Sequence, residues 1–470
     1  MAKNTAIIDI GSNSITLVIY QKTSRFAFIP LHKEKVKVRI GEGSYDKDGV
    51  LQDAPMSRAY EALYDFSLII KAYRCRKTLT IATSALRDAP NARMFIKKVK
   101  DQLNINIKVI DGDKEGYYGA ISSINLLPKL SEFTTIDIGG GSCELVKVKD
   151  LKVIKTLSLQ LGHVRLYEKP IDVDEVLKTI DDEFKSSIVV AIGGTARSIS
   201  KYIQKSSSYP LDRLHAYEYS FTKHKDSIDA FQKMSLKELR DNYISSSRVE
   251  TIKEGALIFS KVLNYLGCKD VMVNSGGVRE GVYLVDLLRS QNDKFPANFD
   301  ISVKSLLDRF TFLPRQSAYS NNISLKLFSL TCKDKKYIKE ITHASRLLNL
   351  AMRVDGDFLL ENLNYGYRHK EMFTIYFLLN SLSMGLSLKK YEKYSMLLPS
   401  LKEIEYLLFI LNLTRLITKN KLIQKVNISL SGSELVVEIE QISTITLEEI
   451  QEIKNPTKYT IKVNNVRKSI

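Results

Sequence analysis

Two aspartates stand in near-identical settings. Asp9 lies in IDIGSNSITLVIY (residues 8–20) and Asp137 in IDIGGGSCELVKV (residues 136–148). In each stretch an apolar run carries one carboxylate, breaks into a small polar turn and resumes as a second apolar run. A strand ending in Gly-Ser-Asn-Ser or Gly-Gly-Gly-Ser offers successive backbone N–H groups and hydroxyls in a concave turn. Glycine lets that backbone approach an anion closely, and such nests bind phosphate. An aspartate just before the nest is poorly placed to touch phosphate but well placed to hold Mg2+, which bridges few carboxylates and phosphate oxygens. Facing each other, the two hairpins would clamp a phosphate chain from both sides. One copy alone reads better as a Gly-rich β-turn; the pair, at corresponding positions of two similar units, favours the clamp.

The surrounding pattern predicts the elements that position these residues. AIIDIG, SITLVIY and KEKVKVRIG read as three strands with hairpin-like connections, and residues 56–74 space apolar groups at helical intervals. LTIATSALRDAPN gives a strand, a turn and a helix start; FIKKVKDQL a helix; IKVIDG a strand; KEGYYGAISSINLL a helix. The pattern restarts at Thr134 and closes on DVMVNSGGVREGVYLVDLL, read as strand, Gly-Gly turn and helix. Strands alternating with helices argue an α/β fold in two units. Residues 301–425 are rich in Leu, Ser and Lys, nearly free of Gly and helical in period, and a small strand-containing tail follows.

The bulk numbers narrow the partners. A chain of 470 residues exceeds a single core. Its net charge is +17, and residues 301–470 carry 25 basic against 16 acidic side chains, or +9 of it. Such a field favours polyanions (nucleic acid, an anionic membrane, a polyphosphate) without choosing among them. Cys75, Cys143, Cys268 and Cys332 are scattered, which excludes a disulfide framework or C-x-x-C zinc site and suits a reducing cytoplasm. The first apolar run carries Asp9 and Asn13 and does not read as a signal peptide, and no apolar run is long enough to predict a transmembrane helix.

Nine phrases carry a more specific resemblance. In order they are DIGSNS (9–14), VRIGEG (38–43), ATSALRDAPN (82–91), IKVIDGDKEG (107–116), DIGGGSCEL (137–145), LGHVRL (161–166), IGGTAR (192–197), LHAYE (214–218) and SGGVREGV (275–282). Across roughly residues 6–287 the chain resembles the Ppx/GppA family of exopolyphosphatases and guanosine pentaphosphate phosphohydrolases, in the actin-like ATPase superfamily. The resemblance implies two duplicated actin-like (ribonuclease H-like) domains, residues 1–125 and 126–297. A mostly helical, HD-like domain with a strand-containing tail, residues 298–470, would follow. It implies Glu115 as the general base on the attacking water, and Asp137 and Glu144, with Asp9, as carboxylates for Mg2+ or Mn2+. Ser12, Asn13 and Ser14 match the first phosphate loop, and Gly140, Gly141 and Ser142 the second. Arg87 matches an arginine reaching the phosphates; Arg39, Arg165 and Arg279 stand in motif positions and read equally as phosphate ligands or as solvated or interface arginines. From the residues alone, Glu115 reads as an acid stabilising a helix start.

The chain also departs from the family pattern. Lys114-Glu115-Gly116-Tyr117 stands where Glu-Glu-Ala-Arg is usual, and Thr16 where many members carry a basic residue. The second leaves open the grip on a guanosine-side phosphate. The Leu-His-Glu-x-Gly phrase of HD-like domains appears as Leu347-Leu348-Asn349-Leu350-Ala351; His369 alone is not a metal site, and Cys143 reads as a substitute for threonine. The leading expectation is a cytoplasmic Mg2+-dependent hydrolase acting on polyphosphate, pppGpp or both, assembled as a homodimer, with no membrane partner and with RNA unsupported. A kinase or ATPase of the same fold, and a non-catalytic binder of polyphosphate, pppGpp or RNA, are the competing readings.

Overall fold

The computed structural model describes residues 3–44, 48–241, 244, 248–311, 314–332, 334–352, 354–420 and 423–466. The chain divides into two compact units, Met1–Phe299 and Asp300–Ile470.

The first unit holds two mixed sheets. β1 (Asn4–Ile10), β2 (Ser14–Lys22), β3 (Phe28–Lys37), β4 (Lys77–Ala82) and β5 (Ile107–Val109) form one, in the order β3-β2-β1-β4-β5. β6 (Glu132–Ile138), β7 (Cys143–Lys149), β8 (Lys152–Leu159), β9 (Ile188–Ile192), β10 (Glu218–Ser220) and β11 (Asp270–Val273) form the other, in the order β10-β11-β9-β6-β7-β8. The two orders correspond: an antiparallel three-strand meander (β1–β3, β6–β8) continued by parallel strands (β4 and β5, β9 and β11), with β10 added at an edge. Isoleucine, valine and threonine dominate β1, β2 and β9, because branched side chains pack well on a pleated surface.

Period-two alternation divides each sheet into two faces. Ile8, Ile10, Ile15, Leu17 and Ile19 face a core shared with Ala59, Leu63 and Phe66 of the helix Asp53–Ala72. Ile136, Ile138, Cys143 and Leu145 do the same with Ile199 and Ile203 of the helix Gly193–Ser206 and Phe259 of the helix Ile252–Tyr265. Each fully buried side chain of this size is worth about 1.5–3 kcal/mol. Asp9, Asp137 and Glu144 have the opposite parity and belong to the other face.

Those other faces are covered by exchanged helices, which periodicity did not foretell. The helix Gly112–Leu126, which follows the first sheet in the chain, packs on β6, β7 and β8; the helix Val278–Leu288, which follows the second, packs on β1. Tyr20 of β2 stacks on Tyr283 at 4.3 Å and donates to Glu280 Oε1 at 2.9 Å. The two helices meet closely at Gly281, where a Cβ would stand 1.9 Å from the Tyr118 carbonyl oxygen. Buried Asn274 donates to Ser122 and Ser123 at 3.2 and 3.0 Å, pinning the crossing.

The second unit is mostly helical. Its longest helices are Pro314–Thr331, Ile338–Ala351, His369–Met384 and Leu401–Ile417, and β12 (Val426–Ser431), β13 (Glu434–Ile439) and β14 (Thr460–Asn465) form a three-stranded sheet. Leu347, Leu348, Leu350 and Ala351 are buried core, as is His369. Among the described residues no helix is long and apolar enough to cross a membrane.

Candidate active site

Both polar turns are closed by the same hydrogen bond. Gly11 N–H donates to Ser14 C=O at 3.1 Å and Gly139 N–H to Ser142 C=O at 2.9 Å. The turns face each other closely enough that a Cβ on Gly140 would stand 3.1 Å from the Ser12 Cβ. Among the described residues the amides of Asn13, Gly140 and Gly141 donate to no backbone carbonyl, and those of Asn13 and Gly140 border the cleft, available to an anion. A cleft of about 200 Å3 runs between the turns. Ser12, Asn13, Ser14, Gly140 and Ser142 line it, together with Asp9, Asp137 and Glu115.

Strand register places the carboxylates. Asp137 and Glu144 are directly opposed across β6 and β7, and Glu144 is opposed in turn by Ser158 of β8, whose hydroxyl donates to Glu144 Oε1 at 3.0 Å. Glu144 is buried beneath the cleft surface. Glu115 arrives from the first turn of the helix Gly112–Leu126, whose start is capped by Asp111 accepting from Lys114 N–H at 2.6 Å. Gly193, at φ +82°, lets the chain pass Asp137: a Cβ there would lie 2.0 Å from Asp137 Oδ1. Among the described residues no lysine or arginine forms an ion pair with Asp137 or Glu144.

Crowding shifts these groups. Burial, reinforced by Glu144, Asp137 and Asp9, raises Glu115 well above the usual carboxylate range, while Arg87 opposes the shift. Burial also raises Glu144, with Asp137 adding to it. Asp137 is pushed up to about 6 by burial and Asp9, against the pull of Arg197, Arg279 and Arg248. Burial raises Asp9 as well, partly offset by Arg279, whose Nη1 lies 3.2 Å from Asp9 Oδ2.

The four arginines singled out in the sequence have separate fates. Arg279, from the start of the helix Val278–Leu288, lines the cleft. Arg87 stands behind the cleft wall with Nη1 3.2 Å from Glu115 Oε2. Arg87 Nη2 and Arg279 Nε are both buried and, among the described residues, find no hydrogen-bond partner. Arg39 pairs with Glu42 at 3.3 Å and Glu250 at 2.6 Å. Arg165 donates to the Gly141 carbonyl and to Asp88, each at 2.7 Å. Gly141, Arg39 and Arg165 are not among the cleft-lining residues. Cys143 is buried in the core of the second sheet, and burial raises its thiol well above the ordinary range.

The cleft also has lining residues that the sequence reading did not nominate. Lys33, Lys35, Arg197, Arg248 and His163 complete its wall. Arg197 and His163 lay inside quoted phrases, and Lys33 and Lys35 share a face by period-two spacing in KEKVKV. Arg248 carried no local signal; its guanidinium lies against Gly194, where a Cβ would fall 1.6 Å from Nη2. His163 accepts or donates at Thr251 Oγ1, 2.8 Å away, and burial lowers its pKa to about 3, so it is neutral. Five cations therefore face three carboxylates whose charge is suppressed, a cleft built for an anion.

The model of the Ppx/GppA phosphatase family matches residues 18–290. The chain belongs to this family. Among curated relatives, a bifunctional 3-dehydroquinate synthase/phosphatase of Fusobacterium nucleatum is 29% identical over 311 residues, 59% of this chain and 46% of that protein. The chain thus spans less than half the length of that relative. A guanosine-5'-triphosphate,3'-diphosphate pyrophosphatase of Pseudoalteromonas atlantica is 25% identical, covering 78% of this chain and 73% of the relative. An exopolyphosphatase 2 of Mycobacterium tuberculosis is 28% identical, covering 45% and 74%. The solved structure of the Aquifex aeolicus Ppx/GppA family member superposes with a TM-score of 0.53 at 26% identity, covering 62% of this chain and 99% of that one. The two sheets accordingly share the actin-like ATPase fold of Ppx/GppA proteins.

Proposed function

We propose that this Ppx/GppA member hydrolyses the terminal phosphoric anhydride of a linear phosphate chain, inorganic polyphosphate or the 5′-triphosphate of pppGpp. The observation carrying this reading is the cleft itself: two opposed phosphate nests, five cations and one helix-borne glutamate. Water attacks the terminal phosphorus, the bridging P–O bond breaks, and inorganic phosphate leaves the shortened chain. Glu115 takes the proton from the water; burial and neighbouring carboxylates raise its pKa, which makes its carboxylate a stronger base. Arg87 holds Glu115 in place, while the nest amides and Arg279 meet charge on the phosphoryl oxygens.

The residues present fit a divalent ion. Asp137 and Glu144 sit side by side with raised pKa values and, among the described residues, no ion-pair partner, a donor set that a hard cation would relieve. Asp9 is held by Arg279 at 3.2 Å and acts on Asp137 through charge; among the described residues no three such side chains gather into one metal-holding group, so the ion would rest on Asp137 and Glu144. Mg2+, or Mn2+ in its place, would supply electrostatic neutralisation of the phosphate oxygens when bound. The same reading includes a cytoplasmic homodimer, with the basic, HD-like helical region adding to polyanion attraction.

The test is phosphate release from long-chain polyphosphate, pppGpp and ATP by wild type and Glu115→Gln with Mg2+. Loss of the general base is expected to slow release by about 10²–10⁴. A Glu115→Gln rate within tenfold of wild type would refute the assigned mechanism. Transfer from ATP to a small-molecule acceptor would establish the kinase reading, and salt-sensitive binding without release the binder.

A further inference from the structure

The two sheets turn equivalent three-strand rows towards the site, with different charges. In the second sheet the row is Asp137, Glu144, Ser158; in the first it is Asp9, Thr16, Lys35, each residue directly opposed to the next. The helix Gly112–Leu126 closes over the third position of the second row, where a Cβ on Gly112 would stand 2.1 Å from Ser158 Oγ. The third position of the first row is open. Lys35 is exposed on the edge strand β3 and lines the cleft, with Lys33 two residues along the same face. The charged groups acting most strongly on Lys35 are the cations Arg248, Arg197, Arg279 and Lys33, and the Asp9 carboxylate at the head of the row acts on it more weakly. Among the described residues it forms no ion pair with a carboxylate. Cations that outnumber the charge-suppressed carboxylates beside them repel one another, and a polyanion laid along them relieves that repulsion.

We propose that Lys35 grips a phosphate of the substrate's chain distant from the one removed, and is the specificity-determining residue for the far end of the substrate. This rests on the hydrolase reading above, which puts the cleaved end beside Glu115, Asp137 and Glu144 on the opposite wall. The ligand chemistry is a phosphate group linked to, and distant from, the one being removed. Inorganic polyphosphate supplies it along its chain, and pppGpp on its 3′ side. The contact is made from β3 because the central strand carries an uncharged residue at the neighbouring position, Thr16. A lysine that only blunts a sheet edge against pairing would leave binding unchanged.

The test compares wild type with Lys35→Ala, Lys35→Arg and the double variant Lys35→Ala/Thr16→Lys, all as full chains. Binding of long-chain polyphosphate, tripolyphosphate and pppGpp is measured by calorimetry without divalent metal, and phosphate release is measured separately with Mg2+. Lys35→Ala is expected to weaken long-chain polyphosphate at least tenfold and tripolyphosphate less than threefold. Arginine at 35, or lysine at 16, is expected to restore binding to within threefold, because opposed cross-strand Cβ atoms lie about 5 Å apart. A tenfold loss for pppGpp as well assigns the contact to its 3′ phosphates; a loss confined to polyphosphate assigns it to the inorganic chain. Long-chain binding within twofold of wild type in Lys35→Ala, or an equal loss for tripolyphosphate, overturns the proposal. A wild type that releases no phosphate, yet shows the tenfold binding loss in the variant, sinks the hydrolase reading and leaves Lys35 as a polyphosphate-binding residue.

Discussion

Replacing Asp137 by asparagine is expected to stabilise the metal-free protein at alkaline pH while abolishing the proposed phosphate release. The Asp137 carboxyl titrates at about 6 in the cleft against an ordinary 3.8. That shift of about two units, at 1.36 kcal/mol each, is about 3 kcal/mol. Its sign follows from linkage: an acid raised by folding gives stability that is complete below about pH 4 and is lost as pH rises through about 6. At pH 8 the ionised side chain therefore costs about 3 kcal/mol relative to a neutral one of the same shape, and at pH 5 about half of that. Asparagine cannot ionise. In the presence of a chelator, the first thermal transition of Asp137→Asn should lie about 6 °C above wild type at pH 8, at about 2 °C per kcal/mol for a unit this large. The gap should narrow to about half at pH 5. The chain has no tryptophan, so scanning calorimetry is the appropriate readout. Mg2+ at a hundred times its Kd should raise the wild-type transition by the equivalent of about 2.7 kcal/mol and leave Asp137→Asn unmoved. A variant that melts at or below wild type at pH 8, or a gap constant across pH, refutes the reasoning. The function-supporting carboxylate would then carry no folding penalty.

Other substitutions probe the frame around the cleft. Gly281→Ala drives a methyl into the Tyr118 carbonyl at the crossing of the exchanged helices. It should lower stability by about 1–3 kcal/mol, read as a fall in denaturant midpoint; an unchanged midpoint would show that the crossing can spread. Cys143, buried with a raised thiol, should resist iodoacetamide in native protein at pH 8 while partly exposed Cys332 is labelled. Mass spectrometry that finds Cys143 modified before unfolding would reopen a chemical role for it. Lys35, exposed as a residue but with its ammonium hemmed in by the cleft wall, is lowered to about 8 by partial desolvation and by Arg248, Arg197, Arg279 and Lys33. Polyphosphate KM should accordingly rise above pH 8 in wild type, and Lys35→Arg should flatten that rise.

Much of the frame was legible in residue order. The duplicated hairpin showed because strand alternation, a short polar turn and a second alternation are local events, and Asp9 and Asp137 inherit their place from that period. Asp137 and Glu144 sit seven residues apart around a tight turn, so register alone makes them neighbours. Glu115 opens a helix that Asp111 caps, another local matter.

Pairing across long separations was not legible. Arg39 and Arg165 stood in the right phrases, yet their nearest acids, Glu250 and Asp88, are 211 and 77 residues away, and those acids decide where the guanidinium groups rest. The exchange of helices between sheets, which delivers Glu115 to one row and Arg279 to the other, is decided by which apolar faces remain open after each sheet has covered its first side. Lys35 reached significance the same way. Its sequence shows only an alternating basic strand, whereas a neighbouring threonine and an exposed third position in the row leave it, among the described residues, a cleft cation with no ion pair. A sequence specifies its hairpins and caps through contacts between near neighbours. The charge that each wall of the cleft presents depends on distant segments whose closeness only the folded chain establishes.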